Sequence, residues 1–277
     1  MLMAQEPEYL RVLLKTLGYV IIFYGLLCSV MFLAQRKLQY VPDNVTFNAA
    51  AYGLEGFETL PTVIDGVTVN SWYRPPAAGM PVIVYAHGNA GNFIERNFRF
   101  LPWYRAGYGI ALISYPGFED NPGSPTEQGN YASARNVLQM VIARGKPDSK
   151  IILVGESMGT GVMVQMATEF PVGGIVLESP YTSLVATAQN HYWWLPVSQL
   201  MIDRYDSLAK INRVKAPLLL IHGEQDKVVP VIQGKALFAA ANEPKEAMFI
   251  PGAGHSNDMY TDAVNERILD FIKRQLP

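Results

Sequence analysis

The sequence predicts an α/β fold with a mostly parallel central sheet, helices on both faces, and one apolar N-terminal helix. Short apolar segments alternate with helical segments, a glycine-flanked pentapeptide joins a strand to a helix, and 20 consecutive residues near the N-terminus carry no charge. Continuously apolar strands that alternate with helices are typical of parallel sheets covered on both faces. Because such sheets bind ligands at the carboxyl ends of their strands, we expect the functional residues there.

The predicted strands are Val67–Tyr73, Pro81–Ala86, Gly109–Tyr115, Lys150–Val154, Gly173–Leu177, Leu218–Ile221 and Ala247–Ile250. The predicted helices are Asn92–Arg105, Thr126–Arg144, Met158–Glu169, Val231–Ala241 and Asp258–Arg274. The segment at about 181–214 is too long for a simple crossover and contains an aromatic cluster, so we predict that it forms a small helical cap. The domains are then an anchor and exit segment at 1–40 and a globular domain at 41–277.

Composition excludes several classes of function. The net charge of −2 does not favour nucleic-acid binding, which needs a basic face. The single cysteine, Cys28, excludes an intramolecular disulfide and a cysteine-based metal site. No phosphate-binding loop, no helix-opening G-x-G-x-x-G and no histidine pair at metal-ligand spacing is present. We therefore expect no cofactor, no metal and no nucleic-acid partner.

The uncharged segment Thr16–Gln35 is long enough to cross a bilayer, since about 20 helical residues span about 30 Å of hydrocarbon. A buried core helix is one alternative, but such a helix rarely lacks charge on every face. A cleaved signal peptide is another, although the apolar run is long and no A-x-A cleavage site follows it. We predict a single-pass N-terminal membrane anchor. Two basic residues lie on each side, so the positive-inside rule assigns no orientation.

The most informative motif is Gly155-Glu156-Ser157-Met158-Gly159, which follows an apolar strand and precedes a helix. This is the context of a nucleophile elbow, in which a sharp turn presents a serine at the rim of a sheet. Glycine on both sides removes the side chains that would collide in so tight a turn. An ordinary turn is the alternative for an isolated pentapeptide, and the flanking strand and helix argue against it. Ser157 is therefore the predicted nucleophile.

A serine hydroxyl needs a base to accept its proton. In folds with such an elbow, the catalytic residues follow one another as serine, acid and histidine. His255, in the loop after the last strand, is the histidine that fits this order. Asp226 is the preferred acid because it lies a few residues past the preceding strand, and Glu224 in the same loop is the alternative. A helix-capping role is the structural alternative for Asp226.

An oxyanion hole needs two backbone N–H groups that converge on one point. We assign the first to Met158, which follows the nucleophile at a helix N-terminus. The second is expected in the loop after the strand Pro81–Ala86, and we assign it to Asn89. The histidines His87 and His222 are expected to brace loops, and His191 to belong to the cap.

With these residues placed, the chain resembles the α/β-hydrolases of the serine-hydrolase type, and most closely the small membrane-anchored α/β-hydrolase-domain proteins. The resemblance covers residues 36–277 and rests on these segments: Tyr85–Asn92, Tyr115–Phe118, Gly123–Glu127, Gly155–Gly159, Glu178–Ser183, Ile221–Gly223 with Asp226 and Val229-Pro230, and Gly254-His255. It implies Ser157, Asp226 and His255 as the catalytic triad. The chain departs from the family at Glu119 and Asn121, where the family usually has glycine and serine, so substrate recognition at that loop is expected to differ.

The predicted function is hydrolysis of carboxylic esters, with thioesters and lipid-like acyl esters as further substrates, through an acyl-enzyme on Ser157. The expected partners are a small-molecule or lipid-like acyl substrate and a membrane. Trp193, Trp194 and Leu195 could line an acyl pocket or touch the bilayer, and packing of the cap is the alternative. A peptidase of the same fold, with Glu119 holding the substrate amine, and a non-catalytic membrane-anchored scaffold remain alternative functions. A dehalogenase would need an aspartate in place of the serine.

Overall fold

The computed structural model describes residues 8–43, 45–46, 48–93, 95–145 and 150–275. Its strands are β1 (Val41–Pro42), β2 (Glu58–Ile64), β3 (Val67–Arg74), β4 (Val82–Ala86), β5 (Ala90–Gly91), β6 (Gly109–Ile113), β7 (Ile151–Glu156), β8 (Gly174–Glu178), β9 (Leu218–Gly223) and β10 (Lys245–Ile250). Its α-helices are α1 (Glu8–Gln39), α2 (Asn97–Arg105), α3 (Glu127–Ala143), α4 (Met158–Glu169), α5 (Leu184–His191), α6 (Val197–Leu200), α7 (Leu208–Ile211), α8 (Val231–Ala240) and α9 (Asp262–Arg274).

An eight-stranded sheet organises the domain, in the order β10-β9-β8-β7-β4-β6-β3-β2. The six strands from β10 to β6 pair in parallel, and β3 and β2 add an antiparallel hairpin at one edge. The mostly parallel α/β fold predicted from the sequence is thus confirmed. Sequence patterning missed β2, which contains Pro61. Because β2 is an edge strand, that proline costs no ladder hydrogen bond on the open side.

Helices cover both faces of the sheet, and each strand divides its side chains between them. Val82 and Val84 of β4 join the core under α3, α4 and α8, whereas Ile83 and Tyr85 join the core under α2 and α9. All five residues of β4 are buried, so this strand has no solvent face. Two-sided burial is the reason that the parallel strands are continuously apolar in sequence.

Two predicted helices begin later than expected. The helix predicted from Asn92 begins at Asn97, and the one predicted from Asp258 begins at Asp262. A short 3₁₀ helix, Ser256–Met259, occupies part of the difference in the second case. Thr261 caps α9, since its hydroxyl accepts from the Val264 N–H at 3.3 Å.

The segment that follows the N-terminal helix is paired with the globular domain. Val41 and Pro42 pair in parallel with Ala90 and Gly91, and the Val41 N–H donates to the Asn89 carbonyl at 2.8 Å. The exit from α1 is therefore joined to the loop that follows β4.

The cap consists of α5, α6 and α7, which lie between β8 and β9. Helix α1 has 32 residues and none of them is buried. By length and composition it could cross a membrane, and in the part of the chain that the structure describes it is the one helix that meets this test.

Candidate active site

Ser157, the predicted nucleophile, lies in a tight turn between β7 and α4. Ser157 has φ +48° and ψ −117°, a backbone conformation that residues with a side chain rarely adopt. The turn is tight enough to require the glycine that follows it. A Cβ atom on Gly159 would lie 2.1 Å from the Ala86 carbonyl oxygen, so any side chain there would push the elbow away from β4.

The structure brings the three predicted catalytic side chains into one hydrogen-bonded line, although they are far apart in sequence. The His255 Nε2 atom lies 3.0 Å from the Ser157 Oγ, and the His255 Nδ1 atom lies 2.7 Å from the Asp226 Oδ2. Nδ1–H then donates to the carboxylate, and Nε2 is left free to accept the serine proton. Ser157 and Asp226 are buried, and His255 is partly exposed.

Asp226 is held as a carboxylate by several donors. Its Oδ1 accepts from the backbone N–H groups of Val228 and Val229 at 2.9 and 2.8 Å. Burial alone would raise the pKa of Asp226, but hydrogen bonds from His222, His255 and the backbone hold it well below its usual range. His222 also donates to the Val229 carbonyl at 2.9 Å, a bracing contact of the kind expected for it.

The alternative acid, Glu224, does not point toward the histidine. Its side chain is exposed, and its carboxylate lies 4.0 Å from the Lys235 ammonium at the surface. Asp226 is thus the carboxylate that contacts His255 among the two candidates.

The two residues assigned to the oxyanion hole line the same cavity as Ser157. Met158 is the first residue of α4, where a backbone N–H has no intrahelical acceptor. The loop after β4 runs beside Ser157, because a Cβ atom on Gly88 would be 3.5 Å from the Ser157 Cβ. The Asn89 side chain donates to the Gln39 carbonyl at 2.9 Å, so the end of α1 helps to hold this loop.

A cavity of about 240 Å³ opens above Ser157 and is mostly apolar. The cap contributes Leu184, Ala188, Leu195, Val197, Leu200 and Met201 to its wall. Leu195, one of the three cap residues singled out from the sequence, is buried here. Trp193 and Trp194 are not part of the lining and are 78% and 40% exposed.

Helix α1 supplies the opposite wall, which sequence analysis did not anticipate. Met31, Gln35, Leu38 and Gln39 line the cavity together with the cap. A weak signal was the pair Gln35 and Gln39, which lie at helical spacing where the apolar segment gives way to Arg36 and Lys37.

A buried ionic cluster lies directly behind the elbow and was also missed. The carboxylate of Glu156 accepts from Arg96 Nε at 3.1 Å, from Arg99 Nη1 at 3.0 Å and from the Tyr85 hydroxyl. Arg99 also binds Glu178 at the end of β8. Burial opposes ionisation of Glu156, but the two guanidinium groups hold its pKa well below the usual range.

The ionic cluster also reaches the predicted oxyanion loop. Arg96 donates to the Ala90 and Asn92 carbonyls at 2.9 and 3.0 Å while it binds Glu156. Arg96 therefore connects Glu156, the residue before Ser157, to the loop that carries Asn89.

Glu119 lies away from the cavity that would hold a substrate amine. Its side chain is buried, accepts from the Ser114 hydroxyl, and has its Oε1 atom 3.7 Å from the His87 Nε2. Burial raises the pKa of Glu119 to about 8 and lowers the pKa of His87 to about 3. The residue that the peptidase alternative required is thus a buried acid behind the predicted oxyanion loop.

Comparisons with known proteins place this geometry in a family. Residues 81–205 match the family described as the alpha/beta hydrolase fold. An uncharacterized protein of Mycobacterium tuberculosis is 35% identical over 246 residues, which are 87% of each chain. The human alpha/beta hydrolase domain-containing protein 17B is 27% identical over 198 residues, covering 70% of this chain and 67% of that one.

Among solved structures, a Pyrococcus furiosus esterase superimposes with a TM-score of 0.71 at 18% identity, over 86% of this chain and 100% of the esterase. At that identity the likeness concerns the fold. The relatives, the matched segment and the shared architecture lead to one conclusion: this chain belongs to the α/β-hydrolase family.

Proposed function

We propose that this protein is a serine hydrolase that cleaves carboxylic esters or thioesters through an acyl-enzyme on Ser157. The observation that carries the proposal is the hydrogen-bonded line from Asp226 through His255 to Ser157 beneath an apolar cavity. Family membership and the esterase of the same fold support the same class of reaction.

The reaction follows from these positions. The Ser157 Oγ attacks the acyl carbonyl carbon while its proton passes to the His255 Nε2. Asp226, which stays ionised, stabilises the imidazolium that forms. The tetrahedral oxyanion accepts hydrogen bonds from the backbone N–H groups of Met158 and Asn89.

The imidazolium then protonates the departing alkoxide or thiolate, and the acyl group remains on the serine. A water molecule gives a proton to His255 and attacks the acyl-enzyme. The tetrahedral intermediate then breaks its bond to the Ser157 Oγ, which takes the proton back from His255, so that the products are a carboxylic acid and free Ser157. Each proton therefore passes through one nitrogen atom, the His255 Nε2.

We also propose that α1 anchors the enzyme in a membrane. A core helix would be buried, and α1 has no buried residue. A cleaved signal peptide would leave the cavity without the wall that Met31, Gln35 and Leu38 provide. Both considerations favour a retained anchor that holds the site beside lipid, and they favour a lipid-like acyl substrate.

The proposal is tested with the full-length protein, p-nitrophenyl butyrate and a fluorophosphonate probe. The Ser157→Ala variant should lose both hydrolysis and labelling. Ser198→Ala is the matched control, because this exposed cap serine does not line the cavity and should leave both unchanged. Unlabelled wild-type protein would overturn the hydrolase proposal in favour of a scaffold, and hydrolysis that survives Ser157→Ala would overturn the assignment of the nucleophile.

A further inference from the structure

Helix α1 presents one continuous stripe of side chains to the cap and the cavity. Tyr24, Cys28, Met31, Gln35 and Leu38 follow one another at spacings of four and three residues, which places them on one helix face. Cys28 and Met31 pack against the apolar cluster of the cap. The three C-terminal members of the stripe, Met31, Gln35 and Leu38, line the cavity above Ser157. The same face thus contacts the cap and borders the nucleophile.

Hydrogen bonds hold the helix in this position along about three turns. The Tyr24 hydroxyl donates to the Trp194 carbonyl at 2.8 Å. The Gln35 side chain donates to the Leu200 carbonyl at 3.1 Å and accepts from the Ile202 N–H at 2.8 Å.

An ion pair fixes the end of the same contact. The Arg36 Nε atom lies 2.9 Å from the carboxylate of Asp203, which is almost fully buried. Polar contacts are made at both ends of this helix face, by Tyr24 at one end and by Gln35 and Arg36 at the other. They fix the rotation of α1 about its own axis relative to the cap.

Part of the α1 wall of the cavity lies within the segment expected in the bilayer. Met31 and Gln35 belong to the uncharged segment Thr16–Gln35. Trp193 and Trp194, which are exposed, lie on the cap beside Tyr24 of the helix. Exposed tryptophans are typical of the membrane interface, where the apolar part of the indole ring contacts lipid and its polar N–H group contacts water. The cap and the cavity therefore lie at the level of the lipid.

We infer that α1 is the acyl-selecting wall of the active site, and that the substrate is a long-chain acyl ester held in the membrane. This inference rests on the proposed hydrolase function. The acyl chain passes from the bilayer between α1 and the cap, and it lies along Met31 and Leu38 with its ester carbonyl at Ser157. Leu195, Val197 and Met201 of the cap cover its other side.

The physical reason is continuity of apolar surroundings. A chain that moves from hydrocarbon into an apolar cavity does not have to cross water, and each methylene that fills the cavity adds favourable apolar contact. A short acyl group would leave most of the wall unfilled. The helix that anchors the enzyme thus also determines which acyl chains it accepts.

The test compares acyl-chain lengths for the full-length protein in detergent micelles, with p-nitrophenyl acetate, dodecanoate and hexadecanoate as substrates. Met31→Trp places a bulky ring in the wall. We expect it to lower the dodecanoate-to-acetate ratio of kcat/KM about tenfold. Leu33→Trp is the matched control, because Leu33 is 81% exposed on the face turned away from the cap and should leave the ratio unchanged. An unchanged ratio in Met31→Trp, with fluorophosphonate labelling retained, overturns the inference.

A second variant decides the matter if Met31→Trp no longer reacts with the probe. Met31→Ala enlarges the cavity, and we expect it to raise the hexadecanoate-to-dodecanoate ratio of kcat/KM about threefold or more. If Met31→Ala has the same hexadecanoate-to-dodecanoate ratio as the wild type, the inference is overturned. The two proposals fail differently: wild-type protein that hydrolyses acetate but shows no preference for longer chains contradicts only the role of α1, whereas unlabelled wild-type protein contradicts the hydrolase proposal itself.

Discussion

The buried acid Glu119, behind the predicted oxyanion loop, leads to a prediction about stability and pH. Glu119 is 3% exposed and lies between Ser114, which donates to it, and the unprotonated Nε2 of His87. The imidazole is in this tautomer because its Nδ1–H donates to the Gly88 carbonyl at 2.7 Å. A protonated Glu119 can donate toward Nε2, whereas the carboxylate would be a buried charge facing a neutral ring. The structure therefore favours the neutral acid.

The size of the effect on the free energy of unfolding follows from the pKa of Glu119 in the folded and in the unfolded protein. The pKa of Glu119 is about 8 in the folded protein, against an ordinary value of 4.5. An acid with a raised folded pKa binds its proton more tightly when the protein is folded. Its contribution to stability is complete below pH 4.5 and is lost as the pH rises toward 8. At about 1.4 kcal/mol per pH unit, the loss is on the order of 5 kcal/mol across this window.

The test variant is Glu119→Gln, whose amide has the shape of the protonated acid but cannot ionise. It should be about as stable as the wild type near pH 4.5 and more stable by several kcal/mol at pH 9. For a domain of this size, thermal unfolding should show a difference on the order of 10 °C at the higher pH. The comparison is made on the full-length protein in the same detergent at each pH.

Glu55→Gln is the control, since Glu55 is exposed and its loss should shift unfolding little at either pH. The reasoning is refuted if the wild type and Glu119→Gln differ by the same amount at pH 5 and pH 9. That result would mean that Glu119 ionises in the folded protein as easily as in the unfolded chain.

Two further predictions concern the site and its support. Asp226→Asn should lower kcat about 10⁴-fold with Ser157 still present, because His255 loses the carboxylate that sets its tautomer. Steady-state hydrolysis of p-nitrophenyl butyrate measures this change, and a loss under about tenfold would contradict the prediction. Arg99→Met leaves the buried Glu178 without a guanidinium and Glu156 with Arg96 alone, and it should cost about 3–5 kcal/mol of unfolding free energy. Its control, Arg135→Met, breaks a surface pair and should cost under about 1 kcal/mol.

The sequence alone was sufficient to predict the parallel sheet and the candidate triad. Buried parallel strands are continuously apolar, so the strands before Gly155, Gly223 and Gly252 could be recognised without structural information. Because the carboxyl ends of parallel strands meet at one edge, Ser157, Asp226 and His255 were expected to converge. The order of these residues along the chain then favoured His255 over the other histidines.

The tertiary structure decided what the local pattern does not encode. Arg99 becomes an ionic partner of Glu156 and Glu178 only when α2 packs on the sheet. Because charged residues on a helix are usually solvated, the sequence offered no reason to expect these buried ion pairs. Helix α1 becomes a wall of the cavity through contacts with cap residues about 170 positions later in the chain. A sequence pattern reports the periodicity of one element, whereas the partner of each face depends on how the whole chain folds.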